Sequence, residues 1–365
     1  METATVEAPK AGTDQLKTTR QHFEILDGLR GIAAIVVVIF HFLEIVYTDY
    51  SKNFAGHGFL AVDFFFCLSG FVIAYAYDDR MGKMGIAKFL RARLIRLHPL
   101  VILGSVLGLL ALFFDPFAAA APAYSAGKII LIFLLSILVI PFPVMADRFF
   151  NLFGLNAPAW SLFWEYVANI VYGFILWKLD KRILLVMAIA AAAWLAYVGH
   201  SAGNVMGGWG KDNFWDGAAR ISFSFLAGML VYRYKFIIKN KLGFTGLTIL
   251  LLAALIMPWF KLNWLAEVLV VVLYFPLLIA LGAGSTLRPR MEGICNFSGK
   301  ISYPLYMTHY TVMWAFANYN QQNKPDITTI AWIVGCGVIL LIAFAYVVMV
   351  FFDTPVRKYL SGKSK

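Results

Sequence analysis

Apolar residues gather into eleven runs, at approximately 31–48, 58–77, 98–114, 129–143, 159–177, 183–199, 217–234, 243–259, 264–283, 302–318 and 328–352. A helix needs about 20 residues to cross a bilayer. Most runs reach that length with modest extension into the interface, but the apolar heart of one, Ile129 to Ile140, does not. It makes only about 18 Å of helix against a hydrocarbon core about 30 Å thick. The pattern predicts an all-α polytopic membrane protein with about ten transmembrane helices plus a short re-entrant or incomplete segment.

Loop charge bears on the count. Basic residues cluster in the N-terminal tail (Lys10, Lys17, Arg20, Arg30) and at Arg80–Arg96, Lys178–Arg182, Arg233–Lys241, Arg288–Lys300 and Arg357–Lys365. The remaining loops carry few, such as Lys52, Lys128, Lys211, Lys261 and Lys324. With one incomplete segment between 98 and 177, every cluster falls on a single side, which the positive-inside rule assigns to the cytoplasm. Eleven full spans would put the last four clusters outside. The expected layout is a cytoplasmic polar tail at 1–22, a multi-pass membrane domain at 23–352 and a basic cytoplasmic tail at 353–365. Met1–Gln21 lacks an apolar core, so no cleavable signal peptide is expected.

Composition agrees. Of 365 residues, 61% are hydrophobic and 14% charged, with a mean hydropathy of +0.75, whereas soluble domains sit near a quarter charged. Aromatic residues make up 16% of the chain, too many for a solvated, disordered one. Cys67, Cys295 and Cys336 are scattered in apolar runs and define neither a disulfide framework nor a metal site. The net charge of +11 is accounted for by basic cytoplasmic loops. Membrane lipids are the expected partners, and nucleic acid is not. No repeat, phosphate-binding loop or metal-ligand spacing stands out.

Ionisable groups inside spans are costly and are functional candidates by default. They are His41, Glu44, Asp63, Glu165, Arg220, Glu267 and His309. The eleven residues from Arg30 to His41 turn a helix by three full turns plus about 20°, so both side chains share a face about 16 Å apart along the axis. An anion-binding group at the membrane edge and a reactive group at depth suit a long ligand such as acyl-coenzyme A, a phosphorylated nucleotide joined by a flexible arm to a thioester. A lone intramembrane His also serves as a link between helices, and an edge Arg as a topology anchor. Glu44 is close enough to orient the His41 imidazole, or else points to the outer water layer. Ser69 and Gly70 read as a helix-packing site. A secondary transporter would show similar spans and buried charges.

The stretches LDGLRGIAAIVVVIFHF and AVDFFFCLSGFVIAYAY, in that order, resemble the membrane acyltransferase family known as acyltransferase 3, whose members acylate carbohydrates in surface glycans and antibiotics. That family's first signature, Arg or Lys, ten residues, then His, is matched by Arg30 and His41. Its Arg-x-x-Arg after the second span is matched by Arg93 and Arg96. WSLFWEY around Glu165, RISFSFLAG from Arg220 and SYPLYMTHY around His309 extend the likeness from about Phe23 to Asp353. Some members carry a C-terminal extracytoplasmic hydrolase-like domain; the sequence ends shortly after Asp353, so none is expected here. The resemblance implies a plasma-membrane enzyme that moves an acyl group, acetyl being the expected one, from acyl-CoA to a hydroxyl of a carbohydrate or glycolipid acceptor. His41 is then general base or transient acyl carrier. Arg30, Arg93 and Arg96 bind the coenzyme's phosphates, and Glu44 and Glu165 join His41 as catalytic candidates, Glu165 alternatively pairing with an Arg. Asp63, Arg220 and His309 are the substrate-binding candidates, and Arg220 and Glu165 are also candidates to line an acceptor route from the outer side.

Overall fold

A computed structural model describes residues 23–119 and 123–362. These residues form helices joined by turns and loops, with two isolated bridges and no strand. The first long helix, α1 (Glu24–Val46), leads through two short 3₁₀ turns into α2 (Ala61–Tyr77). After the short α3 (Met81–Met84) comes α4 (Ile86–Phe114), which begins twelve residues before its apolar run because the arginine-rich stretch is helical as well. Next are α5 (Ala126–Ile137), α6 (Ala159–Phe174), α7 (Lys181–Ala202), α8 (Phe214–Arg233) and α9 (Gly243–Leu255). The helices α10 (Asn263–Leu269) and α11 (Phe275–Gly284) are joined by a π turn, and α12 (Pro289–Thr308) and α13 (Tyr310–Asn323) by His309 alone. The chain closes with α14 (Ile327–Val348), a second π turn and α15 (Thr354–Leu360).

Among the described residues, six helical stretches are long and apolar enough to cross a membrane: Glu24–Val46, Gly58–Tyr77, Ile86–Phe114, Lys181–Ala202, Asn263–Gly284 and Ile327–Leu360. The expected count of about ten is higher, and the reason for the gap is physical. Helix α6 has 16 residues and α9 has 13, while α8 and α12 carry polar residues inward, such as the buried Arg220 and Ser302, which lowers their hydropathy. The suspect segment is short: α5 spans 12 residues and stops at Ile137. The Tyr124 hydroxyl donates to Asp147, so the chain entering α5 and the chain leaving it meet again. Of the terminal segments, 1–22 lies outside the described residues, while 354–360 forms α15, where Arg357 pairs at 2.6 Å with Asp353 of the preceding π turn and the Leu360 carbonyl accepts from Arg91.

Small residues set the helix contacts that matter for the site. Without a water-driven hydrophobic effect between spans, close backbone approach is the main source of adhesion. Helices α1 and α12 meet through Gly28 and Gly31 against Cys295 and Ser298; a Cβ on Gly31 would lie 2.4 Å from the Ser298 backbone. Helices α2 and α8 meet at Gly70 and Gly228, where added Cβ atoms would sit 2.0 and 1.9 Å from carbonyl oxygens of the facing helix. The packing role expected of Gly70 is what the structure has. These two tight pairs frame the polar interior.

Candidate active site

Arg30 and His41 both face α12. At one end of α1, Arg30 donates from Nε to Ser302 Oγ (2.8 Å) and from Nη2 to the Gly299 carbonyl (2.8 Å), and pairs with Asp27 at 3.1 Å. Eleven residues along the same unbroken helix, the His41 ring lies 5.2 Å from that of His309 and 5.0 Å from that of Tyr310. The shared face read from helical period is realised, with α12 and its continuation as the opposing wall.

His41 Nδ1 is 2.5 Å from Glu44 Oε1. A carboxylate accepts, so Nδ1 carries the hydrogen and Nε2 is left with its lone pair. Glu44 therefore orients the imidazole, as one of its two readings had it. His309 is held in the same tautomer by different means: Nδ1 donates to the carbonyls of Leu305 (3.1 Å) and Tyr306 (2.9 Å), and its buried Nε2 has no partner among the described residues. Two imidazoles with free Nε2 atoms thus lie side by side where α12 breaks into α13.

A cavity of about 160 Å³ begins among the arginines and runs between α2, α4, α6 and α12. Arg30, Arg93, Arg96, Ser69, Glu165 and Ser302 give it a polar end, while Val62, Phe65, Phe66 and Tyr306 line its apolar part. Tyr306 is the link to the histidines, its ring 6.0 Å from His309 and its hydroxyl 2.8 Å from Ser161 Oγ. At the polar end, Arg93 donates to Asn169 Oδ1 (2.9 Å) and to Glu165 Oε1 (3.2 Å), and Glu165 also accepts from Ser69 Oγ at 2.5 Å. Arg96 is exposed and makes no hydrogen bond or ion pair among the described residues; Arg30, Arg93 and Arg357 all stand close enough to repel it. Arg30, Arg93 and Arg357 each have a carboxylate partner, in Asp27, Glu165 and Asp353, which leaves Arg96 as the member of the cluster with an uncommitted guanidinium.

The other sequence candidates fall elsewhere. Glu165 lies at the arginine end, away from His41, paired with Arg93 rather than lining an outer route. Asp63 and Arg220 form a sealed pair, 0% and 1% exposed. All five Arg220 N–H groups are used: two on Asp63 (3.1 and 2.6 Å), and the rest on the carbonyls of Phe59, Met206 and Gly207. No Arg220 donor is left for a ligand, and the route placed along it is closed. Glu267 belongs to a separate buried cluster with His57 and Asn263. No group of three or more potential metal ligands occurs among the described residues.

Five participants escaped the sequence reading. Ser69 was grouped with Gly70 as packing, but its hydroxyl faces Glu165 and lines the cavity. Asn169 holds Arg93, Ser302 holds Arg30, and Tyr310 packs edge-on to His41. Asp27, three residues before Arg30, is the one whose pairing helical spacing could have revealed.

Comparison with known proteins points the same way. A family model described as an acyltransferase domain matches residues 23–350. Protein 2 in picA locus of Rhizobium radiobacter is 35% identical over 185 residues, covering 47% of this chain and 92% of that protein. No solved structure matches.

Proposed function

The chain belongs to the acyltransferase family whose domain it carries over residues 23–350, and from that premise we propose that it transfers an acyl group, preferably acetyl, from acyl-CoA to a carbohydrate or glycolipid hydroxyl within the plasma membrane. The observation that carries this reading is the arginine-lined cavity, whose apolar part reaches Tyr306, with the Tyr306 ring 6.0 Å from that of His309 and His309 in turn 5.2 Å from His41. Arg30, Arg93 and Arg96 take the coenzyme's phosphates through paired, charge-assisted hydrogen bonds. The arm lies along the apolar stretch and brings the thioester toward His41, about 16 Å along α1 from Arg30.

In the chemical step, His41 Nε2 removes the acceptor hydroxyl proton as the oxygen attacks the thioester carbonyl. The carbon–sulfur bond breaks, and the leaving thiolate takes the proton back from His41. Glu44 fixes the required tautomer and stabilises the imidazolium, the role a buried carboxylate plays in hydrolase triads. Glu165 positions Arg93, and the closed Asp63–Arg220 pair holds α2 to α8. In the membrane we propose ten spans, α5 turning back, both termini cytoplasmic and the arginines on the cytoplasmic side, where coenzyme A is found.

Radiolabelled acetyl-CoA incubated with purified full-length protein and candidate glycans tests this reading. It predicts label on the glycan and release of free thiol. Label that merely crosses sealed vesicles unchanged would mark a transporter instead.

A further inference from the structure

Beyond His41, on the side away from the arginines, lies a second cluster that no step above uses. Tyr310 packs edge-on to His41, and Trp314, one helical turn further on α13, packs edge-on to Tyr310 at 5.5 Å. Phe149, on the chain leaving α5, stacks on Trp314 at 6.4 Å, and the Arg148 guanidinium sits 4.3 Å from the Trp314 ring centre. Phe149 and Phe150 both hold positive φ (53° and 49°), a conformation that bulky residues adopt only when their surroundings impose it and that gathers at ligand clamps.

The polar atoms here are unusual. Among the described residues, His309 Nε2, Thr311 Oγ1, Trp314 Nε1 and Arg148 Nη1 are all buried without a hydrogen-bond partner. One such atom is an exception in a folded protein, and four in one neighbourhood call for an explanation. Asp147 and Asp115 both act on Arg148, but its one ion pair among the described residues is long. Arg148 is 7% exposed, yet the Asp147 oxygen facing it is 3.9 Å away and the Asp147 side chain is 54% exposed. The other Asp147 oxygen accepts from Tyr124.

We propose that Arg148, Tyr310, Thr311 and Trp314 form the acceptor subsite, and that its ligand is a pyranose ring bearing a carboxylate. Thr311, Trp314 and His309 offer an unused hydroxyl, N–H donor and nitrogen lone pair to the sugar hydroxyls. The Arg148 guanidinium meets the carboxylate. Two ring-to-ring steps, 5.5 and 5.0 Å, separate Trp314 from His41, so a sugar seated here presents a hydroxyl to the proposed base. The subsite rests on the reading of His41 as that base, but it is tested without the reaction.

Saturation-transfer NMR on the full-length protein in nanodiscs, without acetyl-CoA, compares cellobiouronic acid with cellobiose. The acid should bind at least tenfold more tightly. Arg148→Gln should erase that preference, Arg148→Lys should retain part of it, and Trp314→Leu should lose both sugars while Trp314→Phe loses less. Thermal unfolding identifies any variant that fails to fold, and the conservative partner then supplies the result. Wild type binding neither sugar, binding both equally, or binding the acid unchanged in the variants overturns the proposal. Acyl transfer is read separately: transfer without this binding sinks the subsite alone, and binding without transfer sinks the catalytic reading alone.

Discussion

Replacing Glu44 probes the catalytic geometry at its narrowest point. Its carboxylate is 2.5 Å from His41 Nδ1, with both side chains 21% exposed. A hydrogen bond to a charged group contributes about 1.5–3 kcal/mol. Because water reaches this pair and replaces the lost acceptor in part, the lower half of that range applies to Glu44→Ala. At about 1.4 kcal/mol per decade, kcat should fall about ten- to fortyfold. Glu44→Gln should be worse, because its amide can donate to Nδ1 and place the hydrogen on Nε2, where it blocks the base; the analogous change in a hydrolase triad costs about 10⁴-fold. Glu44→Asp should be the mildest. The KM for acetyl-CoA should stay near wild type in all three, since the arginine cluster lies about 16 Å away along α1. Initial rates across acetyl-CoA concentrations at fixed acceptor give both constants. Wild-type kcat in Glu44→Gln, or a loss confined to the KM for acetyl-CoA, would refute the reasoning.

Other perturbations separate binding from structure. Arg96→Ala should raise the KM for acetyl-CoA about ten- to a hundredfold while leaving thermal unfolding unchanged, because Arg96 makes no bond to lose; an unchanged KM would return it to a topology anchor. Asp63→Ala should destabilise the protein by about 3–5 kcal/mol, since it leaves the sealed Arg220 cation unpaired, whereas Asp63→Leu with Arg220→Leu should recover much of that loss in a detergent melt. Gly70→Val should lower the melting temperature and the yield of inserted protein, because even its Cβ would be 2.0 Å from the Phe225 oxygen; normal melting would mean that α2 and α8 part easily.

Sequence revealed what repeats along one helix and hid what depends on distant partners. Helical period alone placed Arg30 and His41 on one face. The i, i+3 spacing put Glu44 within reach of His41 without deciding between that contact and the outer water layer, which the hydrogen bond to Nδ1 decides. The shortness of the 129–140 run matches α5, which has 12 residues and stops at Ile137. Ser69 was misread because its partner Glu165 is 96 residues away. Arg220 was recognised as buried and charged, but Asp63, 157 residues away, and three backbone carbonyls consume its donors, which a sequence does not display. Hydropathy likewise cannot distinguish a helix that points polar groups at neighbours from one that stops short of the membrane. The break at His309 was invisible for a related reason: the 302–318 run is apolar across it, and only coordinates separate α12 from α13.

The central claim is that His41 moves the proton in acyl transfer. Its most direct test is the turnover of His41→Ala in nanodiscs with labelled acetyl-CoA and an accepted glycan, alongside acetyl-CoA binding to the same preparation. General-base removal typically costs about 10²–10⁴-fold, so turnover should fall by that factor while acetyl-CoA binding and the melting temperature stay at wild-type values. Turnover within a few-fold of wild type in a folded, donor-binding His41→Ala protein would contradict the account.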